Sequence, residues 1–392
     1  MDAALFIKII SDKSANDLGK LQHKYSNIDI NELVELYKSS LYKNLPIWDF
    51  SGNDLVFIES FTQIPMNALK LLLSQNTSTS SYGSKSMEDE VASSLSIENI
   101  DYNRESVRKI FQGFAPSTEQ ENRIYGIKKG LEFIADQSNI ISEKNIYSLY
   151  EIAIGQFLDE NDRLLPGEHY RNDSVFVVGQ HIDHTGLQHW KLPEYMNKFV
   201  SFIQEKSHFN DLLKAAVIHF YFAYLHPYFD GNGRMARLLH MWYLRQQGYA
   251  AALFIPFSHF IQLSRKKYYD AFTLIEENAK ISGHIDITPF LLYFIENVYD
   301  KLDASFTHES TFDLYTQLLD SGKITVKEKE LWNFVLSVYG TDEFSTKQLE
   351  RDFANAAYGT IRSFVIKFTE YELLKSQKYG NRVKYSITTT TK

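Results

Sequence analysis

The stretch from His226 to Arg237 groups residues whose types and spacing suit polyphosphate chemistry. Gly231 and Gly233 carry no Cβ, so the chain here can take a positive φ and let an anion approach the backbone closely. Arg234 and Arg237 are three residues apart, so on a helix they share one face and can both reach phosphate oxygens. A helix N-terminus beside them would add unpaired N–H groups and the positive end of a dipole. These features predict a polyphosphate site.

Two other residues of the same stretch could carry out a reaction on that polyphosphate. Asp230 supplies hard oxygen atoms next to the predicted phosphate site, and such ligands suit Mg²⁺. His226 carries an imidazole, the side chain that most often serves as a general base near neutral pH. Together these residues suggest that a hydroxyl group, deprotonated by His226, attacks a nucleoside triphosphate.

Two apolar segments flank the stretch and must position it. The upstream segment, Leu212 to Leu225, is apolar on nearly every side, which predicts a buried central helix. The downstream segment, Leu238 to Leu244, predicts a second helix that stops near Gly248. The stretch is therefore expected to be a helix–loop–helix corner that delivers its polar groups to the start of the second helix.

The run His-Pro-Tyr-Phe-Asp-Gly-Asn-Gly-Arg-Met-Ala-Arg, which begins at His226, resembles the signature of the Fic family, H-P-F-x-D/E-G-N-G-R-x-x-R. It departs from the signature only at Tyr228, which keeps an aromatic ring. The resemblance implies nucleotidyl transfer, most often of AMP from ATP with Mg²⁺, to a hydroxyl group of a protein.

The same resemblance implies a role for each residue of the motif. His226 would be the base, and Asp230 would be the Mg²⁺ ligand. The remaining positions would bind phosphates, with Gly231, Asn232 and Gly233 around the α- and β-phosphates and Arg234 and Arg237 at the β- and γ-phosphates.

A hexapeptide far upstream fits the inhibitory pattern S/T-x-x-x-E-G/N of the family. Its defined positions are Ser94, Glu98 and Asn99. In the family this helix lies over the nucleotide site, and its glutamate pairs with the second arginine of the signature, here Arg237. A carboxylate at that place would compete for the guanidinium and repel the triphosphate, so the resemblance implies autoinhibition by Glu98.

A hairpin is predicted between these two motifs. Tyr170 and Arg171 precede the β-branched run from Ser174 to Val178, Gly179 follows, and a second short run ends at Trp190. Its order in the chain resembles the flap of the family, which pairs with the main chain of a target. The alternative is a small hairpin with a structural role alone.

Residues 258–269 resemble a family segment that packs near the base of the nucleotide. Tyr268 and Tyr269 are therefore candidates for lining a nucleotide pocket. The alternative is that these two side chains lie at the edge of the core.

The C-terminal residues from Thr311 to Ile387 predict a separate module. Helices are expected over Glu328–Val338, from Ser345 through Phe353, and over Ala356–Leu374, followed by a basic hairpin with a Gly-Asn turn. This order resembles a winged helix-turn-helix, a module that often binds DNA. The third helix carries few basic residues, so DNA binding is not favoured over dimerisation or protein binding.

Composition agrees with a soluble, cytoplasmic protein, and the patterns along the chain predict a mainly α-helical one. The 392 residues suggest two or three domains, and the net charge of −8 argues against general nucleic-acid binding. The chain has no cysteine, and neither a signal peptide nor a membrane span is expected.

We expect an N-terminal helical region with the inhibitory helix (1–105), a Fic-type helical core with a hairpin flap (106–303) and the winged-helix-like domain (310–392). Helical patterns extend to about Leu73, with an aromatic cluster of Trp48, Phe50 and Phe57, and the Ser-rich segment 74–90 is expected to be a mobile surface loop.

The leading interpretation is an autoinhibited protein adenylyltransferase that uses ATP and Mg²⁺ to modify a Ser, Thr or Tyr hydroxyl of a target protein. Self-modification and a homodimeric state are compatible with it. One alternative is the reverse activity, removal of AMP from a modified protein, in which Glu98 would orient a water molecule. Another is a winged-helix regulator, of transcription or of protein interactions, whose nucleotide site only senses its ligand; an intact His226 argues against this last alternative, because sensing needs no base.

Overall fold

The computed structural model is mainly helical, as predicted. It describes residues 1–64, 68–69, 72, 80–178, 183–206, 209–302, 314–315, 317–319, 321–339, 343–353, 355–380 and 382–388. The α-helices within this part of the chain are, in order, α1 (Ala3–Ile10), α2 (Leu18–Lys24), α3 (Ile30–Ser40), α4 (Ser80–Ile97), α5 (Arg104–Phe111), α6 (Glu119–Ala135), α7 (Glu143–Ala153), α8 (Leu192–Gln204), α9 (Asp211–Leu225), α10 (Asn232–Gln246), α11 (Phe257–Leu263), α12 (Arg265–Ser282), α13 (Thr288–Asn297), α14 (Val326–Val338), α15 (Thr346–Phe353) and α16 (Tyr358–Glu370).

Strands form three antiparallel hairpins in the described residues. Their bounds are β1 (Tyr42–Trp48) with β2 (Asp54–Ile58), β3 (Phe176–Val178) with β4 (Asp183–Thr185), and β5 (Leu374–Tyr379) with β6 (Arg382–Ile387). None of the helices described combines the length and apolar character needed to cross a bilayer.

The chain divides into two compact units. The first is built from residues within 1–65, 158–237 and 259–301, and the second from residues within 66–157, 238–258 and 302–392. These units do not follow the predicted domain bounds, which stay a prediction.

The central helix of the first unit is α9, and its burial confirms the expectation from its apolar sequence. Every residue of α9 except Ala223 is buried. Its N-terminus is capped by Asn210, whose side chain accepts hydrogen bonds from the N–H groups of Leu212 and Leu213. Tyr299, just after α13, donates its hydroxyl proton to the carbonyl of Leu212 at 2.8 Å. Because α9 is buried on nearly all sides and capped at its start, it gives a fixed support to the residues that follow it.

The N-terminal hairpin β1–β2 packs on this helix and corrects the helical expectation for residues 42–58. Tyr221 of α9 accepts a hydrogen bond from the N–H of Trp48 and donates to its carbonyl, at 3.2 and 2.8 Å. The ring of Phe50 stacks on that of Tyr224, with centroids 4.2 Å apart. The turn is fixed by Asp49, whose carboxylate accepts from main-chain N–H groups at 2.8 Å. The available signal for this hairpin was the continuous apolar run Leu55–Ile58, which follows the turn residues Ser-Gly-Asn.

The aromatic residues of this region pack on separate partners in the first unit. Trp48 makes an edge contact with Tyr195, with ring centroids 5.7 Å apart, and Phe57 makes one with Phe209 at 5.3 Å. The predicted aromatic residues thus attach the hairpin to the helices at several points.

In the second unit, α4 corrects the expectation of a surface loop over residues 74–90. Residues 80–90 are helical, whereas 74–79 lie outside the described residues. The carboxylate of Glu90 is buried and accepts hydrogen bonds from the N–H and the hydroxyl of Ser258 at the start of α11. Serine-rich composition lowers helix propensity only slightly, and tertiary contacts of this kind override it.

The C-terminal residues of the second unit have the predicted order of elements. Helices α14, α15 and α16 are followed by the hairpin β5–β6, with full register from Leu374↔Ile387 to Tyr379↔Arg382. Ser345 caps α15 by accepting the N–H of Gln348 at 3.2 Å. The third helix ends at Glu370, four residues earlier than predicted, because β5 begins at Leu374. The order is confirmed, and the winged-helix assignment stays a prediction.

A buried carboxyl group in the first unit predicts a pH-dependent stability. Asp286 is 3% exposed, and burial raises its pKa from 3.8 to about 6, although bonds from the N–H and hydroxyl of Thr288 oppose the shift. The native state therefore holds this proton more tightly than the unfolded state, so the stability contribution is fully present below pH 3.8 and is lost as pH rises through about 6.

Asp286→Asn keeps an oxygen acceptor for Thr288 and removes this titration. We expect the free energy of unfolding of the variant, relative to wild type, to rise by up to about 3 kcal/mol as pH increases from 4 to 7.5. Chemical denaturation of both proteins across this range measures the difference. A difference that does not vary with pH would contradict the assignment.

Candidate functional site

The site begins where α9 ends, at His226. This residue has φ 53° and ψ 61°, the left-handed conformation, and its N–H donates to the carbonyl of Phe222 at 3.1 Å. Left-handed backbone is unfavourable for a residue with a Cβ, and such residues occur often at functional sites. The Nδ1 atom lies 3.3 Å from the carbonyl oxygen of Ala223. With its proton on Nδ1, the ring would donate to that carbonyl and keep Nε2 as the nitrogen that accepts a proton.

The loop after His226 is held by the side chain of Asn232. Its Oδ1 accepts the N–H of Tyr228 at 2.9 Å, and its Nδ2 donates to the carbonyl of Tyr228 at 2.8 Å. Gly231 has φ 86°, which a residue without Cβ takes at no steric cost. The Asn232 amide therefore shapes the loop, and the main-chain N–H of Asn232 lies at the helix start where the phosphate contact is predicted.

The predicted helix–loop–helix corner is confirmed, with α10 starting at Asn232. Its first intrahelical bond runs from the N–H of Met235 to the carbonyl of Gly231 at 2.9 Å. The N–H groups of Asn232, Gly233 and Arg234 precede that bond, as the first N–H groups of any helix do. They lie beside the loop, where the predicted anion would be placed.

Two buried arginines lie in the first turns of α10. Arg234 and Arg237 are each 3% exposed and three positions apart, so they share one side of the helix. The Nη2 of Arg234 forms an ion pair with Oδ2 of Asp230 at 2.6 Å, whereas its Nε is buried with no acceptor among the described residues. A buried guanidinium with an unused donor is a fitting partner for a phosphate oxygen.

Asp230 is the candidate Mg²⁺ ligand, and its surroundings fit a shared site. Its side chain is half-exposed; Oδ1 accepts the N–H of Gly231 at 2.6 Å, and Oδ2 pairs with Arg234. No cluster of three or more His, Cys, Asp or Glu ligands occurs in the described part of the chain. Asp230 would therefore hold Mg²⁺ together with phosphate oxygens and water, the usual manner in nucleotide sites.

Arg171 is a residue of the site for which the sequence predicted no role. It is 2% exposed, and its side chain donates to the carbonyls of His226 at 2.7 Å, Asp173 at 2.6 Å and Leu187. Burial lowers its pKa to about 10, so it stays positively charged at neutral pH. A lone arginine just before a β-branched run was the only signal in the sequence, because its acceptors lie up to 55 residues away.

The predicted hairpin beside the site is confirmed. Strand β3 pairs with β4 in the register Phe176↔Thr185 to Val178↔Asp183. The predicted turn residue Gly179 lies outside the described residues. The hairpin is followed by Trp190, whose side chain is 66% exposed. The role of the hairpin as a flap for a target stays a prediction.

The inhibitory pattern lies at the end of α4, in the second unit. Ser94 is buried within the helix, and Glu98 follows its last residue and is half-buried. Asn99 has φ 55°, and the helix ends with the N–H of Ile100 bound to the carbonyl of Leu95 at 3.0 Å. This is a Schellman motif, which favours glycine or asparagine at the left-handed position. It explains the G/N alternative of the pattern, while the pairing of Glu98 with Arg237 stays a prediction.

The two tyrosines predicted to line a nucleotide pocket differ in position. Tyr268 is 4% exposed, and its hydroxyl lies 2.9 Å from Nε2 of the buried His219. Its ring packs among Phe272, Phe290 and other aromatic residues of the first unit, so it lies in the core, and its role in a nucleotide pocket stays a prediction. Tyr269 is 37% exposed and stays a candidate.

The role of Asn232 in shaping the loop can be tested by Asn232→Ala. The substitution leaves the buried N–H and carbonyl of Tyr228 without these partners, so we expect the free energy of unfolding to fall by about 2–4 kcal/mol. Denaturant titration measures it, with Asn197→Ala, an exposed asparagine of α8 in the same unit, as the control. Equal stability of both variants would show that the loop is held by other contacts.

Comparisons with known proteins agree with this site. The family model described as Fic/DOC family matches residues 140–244, which include the whole motif. Curated relatives include the protein adenylyltransferase Fic of Aedes aegypti, 28% identical over 48% of this chain and 34% of the relative. That of Nematostella vectensis is 26% identical over 50% of this chain and 42% of the relative. The chain thus spans less than half the length of these relatives.

Solved structures of similar proteins carry the same family name. A Fic family protein from Desulfovibrio desulfuricans G20 aligns with a TM-score of 0.49 at 18% identity, over 80% of this chain and 90% of that one. A Fic domain containing signaling protein from Bacteroides thetaiotaomicron aligns with a TM-score of 0.45 at 16% identity, over 62% and 90%. The family model thus matches the segment that carries the intact motif, and over residues 140–244 this chain is similar to the Fic/DOC family.

Proposed function

We propose that this chain is a protein adenylyltransferase that moves AMP from ATP to a hydroxyl group of a target protein. The observation that carries the proposal is the arrangement around one corner of the fold. A histidine at the end of α9 is followed directly by a glycine loop, a carboxylate and two buried arginines at the start of α10. The names of the curated relatives support the same activity.

In the proposed reaction the hydroxyl oxygen of the target attacks the α-phosphorus of ATP. The new O–P bond forms as the bond between the α-phosphorus and the bridging oxygen of the β-phosphate breaks, and pyrophosphate leaves. His226 takes the hydroxyl proton on Nε2, the nitrogen that the contact of Nδ1 with Ala223 would leave available. The product is a phosphodiester between the target side chain and AMP.

The remaining residues of the corner would bind and orient the nucleotide. The N–H groups at the start of α10 and the guanidinium of Arg234 would stabilise negative charge on the phosphates without rearranging, since Asn232 already fixes the loop. Arg237 would hold the γ-phosphate. Mg²⁺, held by Asp230 and phosphate oxygens, would neutralise charge on the triphosphate and leaving group.

We further propose that Glu98 restrains this activity. The Schellman end of α4 holds the main chain at Glu98 in one geometry, so its carboxylate is presented from a fixed position rather than from an irregular loop. A carboxylate presented to Arg237 would occupy the place of the γ-phosphate. The reverse activity, removal of AMP from a modified protein, is the second candidate, since a fixed carboxylate could equally orient a water molecule.

His226→Ala tests the proposed base. We expect transfer of label from ATP carrying ³²P at the α-phosphate to fall by about 10²–10⁴-fold, because a general base contributes that much. Binding of ATP should stay within about twofold of wild type, because the imidazole is assigned no phosphate contact in the proposed site. His23→Ala, an exposed histidine of α2 in the same unit, is the matched control. Transfer by His226→Ala at the rate of wild type would exclude this mechanism.

Glu98→Gly tests the proposed restraint. We expect higher AMP transfer, including self-modification, because Arg237 becomes available to the γ-phosphate. Glu98→Gln removes the charge alone, and Glu105→Gln, at an exposed position of α5, is the control. Unchanged transfer by Glu98→Gly at saturating ATP and Mg²⁺ would refute autoinhibition. Loss of an AMP-removing activity in the same variant would instead favour the second candidate.

A further inference from the structure

Three successive main-chain carbonyls at the end of α9 accept hydrogen bonds from segments that flank the hairpin. The carbonyl of Leu225 accepts the N–H of Leu187 at 3.3 Å, and that of Pro227 accepts the N–H of Arg171 at 3.0 Å. Between them, the carbonyl of His226 accepts Nε of Arg171 at 2.7 Å. The peptide planes on both sides of the imidazole are therefore fixed from outside the motif.

Arg171 makes two of these three bonds and extends the connection to both ends of the hairpin. Its Nη1 donates to the carbonyl of Asp173, before β3, and its Nη2 donates to the carbonyl of Leu187, after β4. All the hydrogen bonds of its side chain within the described residues end on main-chain carbonyls. The guanidinium thus acts as a planar junction between the hairpin and the backbone of His226.

The packing leaves little freedom at this junction. A Cβ built on Gly186 would lie 2.8 Å from Nη2 of Arg171, 2.8 Å from Cγ2 of Val175 and 3.2 Å from Cβ of His226. Only a glycine lets the chain after β4 approach both side chains so closely. Arg171 and His226 are consequently confined by the same stretch of backbone.

We propose that Arg171 is a positioning residue for the base. It stabilises the left-handed conformation of His226, and that conformation sets the direction in which the imidazole leaves the backbone. The kinetic part of this inference rests on the proposed function, and the conformational part does not. The side chain of Arg171 donates to main-chain carbonyls and not to the imidazole, so it acts on the reaction only through the position of His226.

Two substitutions of Arg171 separate the parts of this role. Arg171→Met keeps most of the volume and removes every donor of the side chain. Arg171→Lys keeps the charge and can donate to one carbonyl, but its single nitrogen cannot reach three divergent acceptors as the guanidinium fork does. The orientation of His226 should therefore be lost in Arg171→Met and partly kept in Arg171→Lys.

The kinetic test uses these variants in the Glu98→Gly background. We expect Arg171→Met to lower kcat about 10–100-fold with KM for ATP within about twofold, because misplacing a catalytic group affects the transition state and not nucleotide binding. Arg171→Lys should recover part of kcat. The control is Asn278→Ala, which removes bonds from a buried side chain to Leu18 and Asn16 in the same unit. It should lower stability without changing kcat.

A second measurement does not depend on activity. Protein labelled with ¹⁵N in its 12 histidines gives imidazole spectra, in which the signals of His226 are those missing from His226→Ala. At alkaline pH, where imidazoles are neutral, wild type should show a single tautomer with the proton on Nδ1. Arg171→Met should show altered or averaged signals. Should that variant fail to fold, Arg171→Lys, which keeps the charge and loses the fork of donors, gives the same comparison.

The outcomes are distinct. Unchanged His226 signals together with unchanged kcat, in variants that lose stability as Asn278→Ala does, would overturn the positioning role and leave Arg171 a structural residue. Altered His226 signals in a protein that transfers no AMP in any background would retain the positioning role and refute the proposed function.

Discussion

The whole site depends on a left-handed residue that carries a side chain. His226 ends α9 in a conformation that a residue with a Cβ avoids, and it turns the chain into the loop before α10. Without that turn the glycine loop could not lead directly into a second helix, and the arginines of α10 would not follow the base so closely. The surrounding carbonyl bonds, the buried α9 and the Asn232 amide all serve to keep this unfavourable residue in place.

Glu98, like His226, lies at the end of a helix that stops at a left-handed residue. Within the described residues the non-glycine positions with positive φ are Asn99, His226 and Glu372. His226 is itself the proposed base, and Asn99 adjoins Glu98, the proposed inhibitory residue. A helix that stops at a left-handed residue ends at a defined position, so the side chain at its end is attached to hydrogen-bonded backbone and not to a frayed turn. The proposed base and the proposed inhibitory carboxylate are thus presented by the same structural means.

Local pattern was sufficient to predict the elements that carry the site. The apolar run of α9, the motif and the β-branched run of β3 each contain their signal within a few residues. The hairpin β1–β2 was missed because its two short strands stand among helical patterns, and the first turns of α4 were missed because serine is common in loops. Such errors are settled by contacts distant in sequence, such as that of Glu90 with Ser258, 168 residues away.

Side-chain positions were predictable where the residues lie within the motif, and the roles assigned to them stay predictions. His226, Asp230 and the two arginines lie where the motif indicated, whereas Tyr268 is bound to His219 in the core. Arg171 shows the opposite error. A charged residue outside the motif was assigned no role, although in the fold it touches the backbone of His226. Pairings of this kind follow from packing, which the order of residue types does not specify.

The two hydrogen bonds between Asn232 and Tyr228 change what a preserved motif means for the history of such a domain. Asn232 and Gly231 are needed for the shape of the loop, whereas the role assigned to His226 belongs to the proposed reaction. A related chain without that reaction would still need the first pair in order to keep the loop, and it would be free to lose the histidine. In such a chain Gly231 and Asn232 would therefore indicate that the loop is retained, and of these three residues only His226 would bear on the proposed reaction.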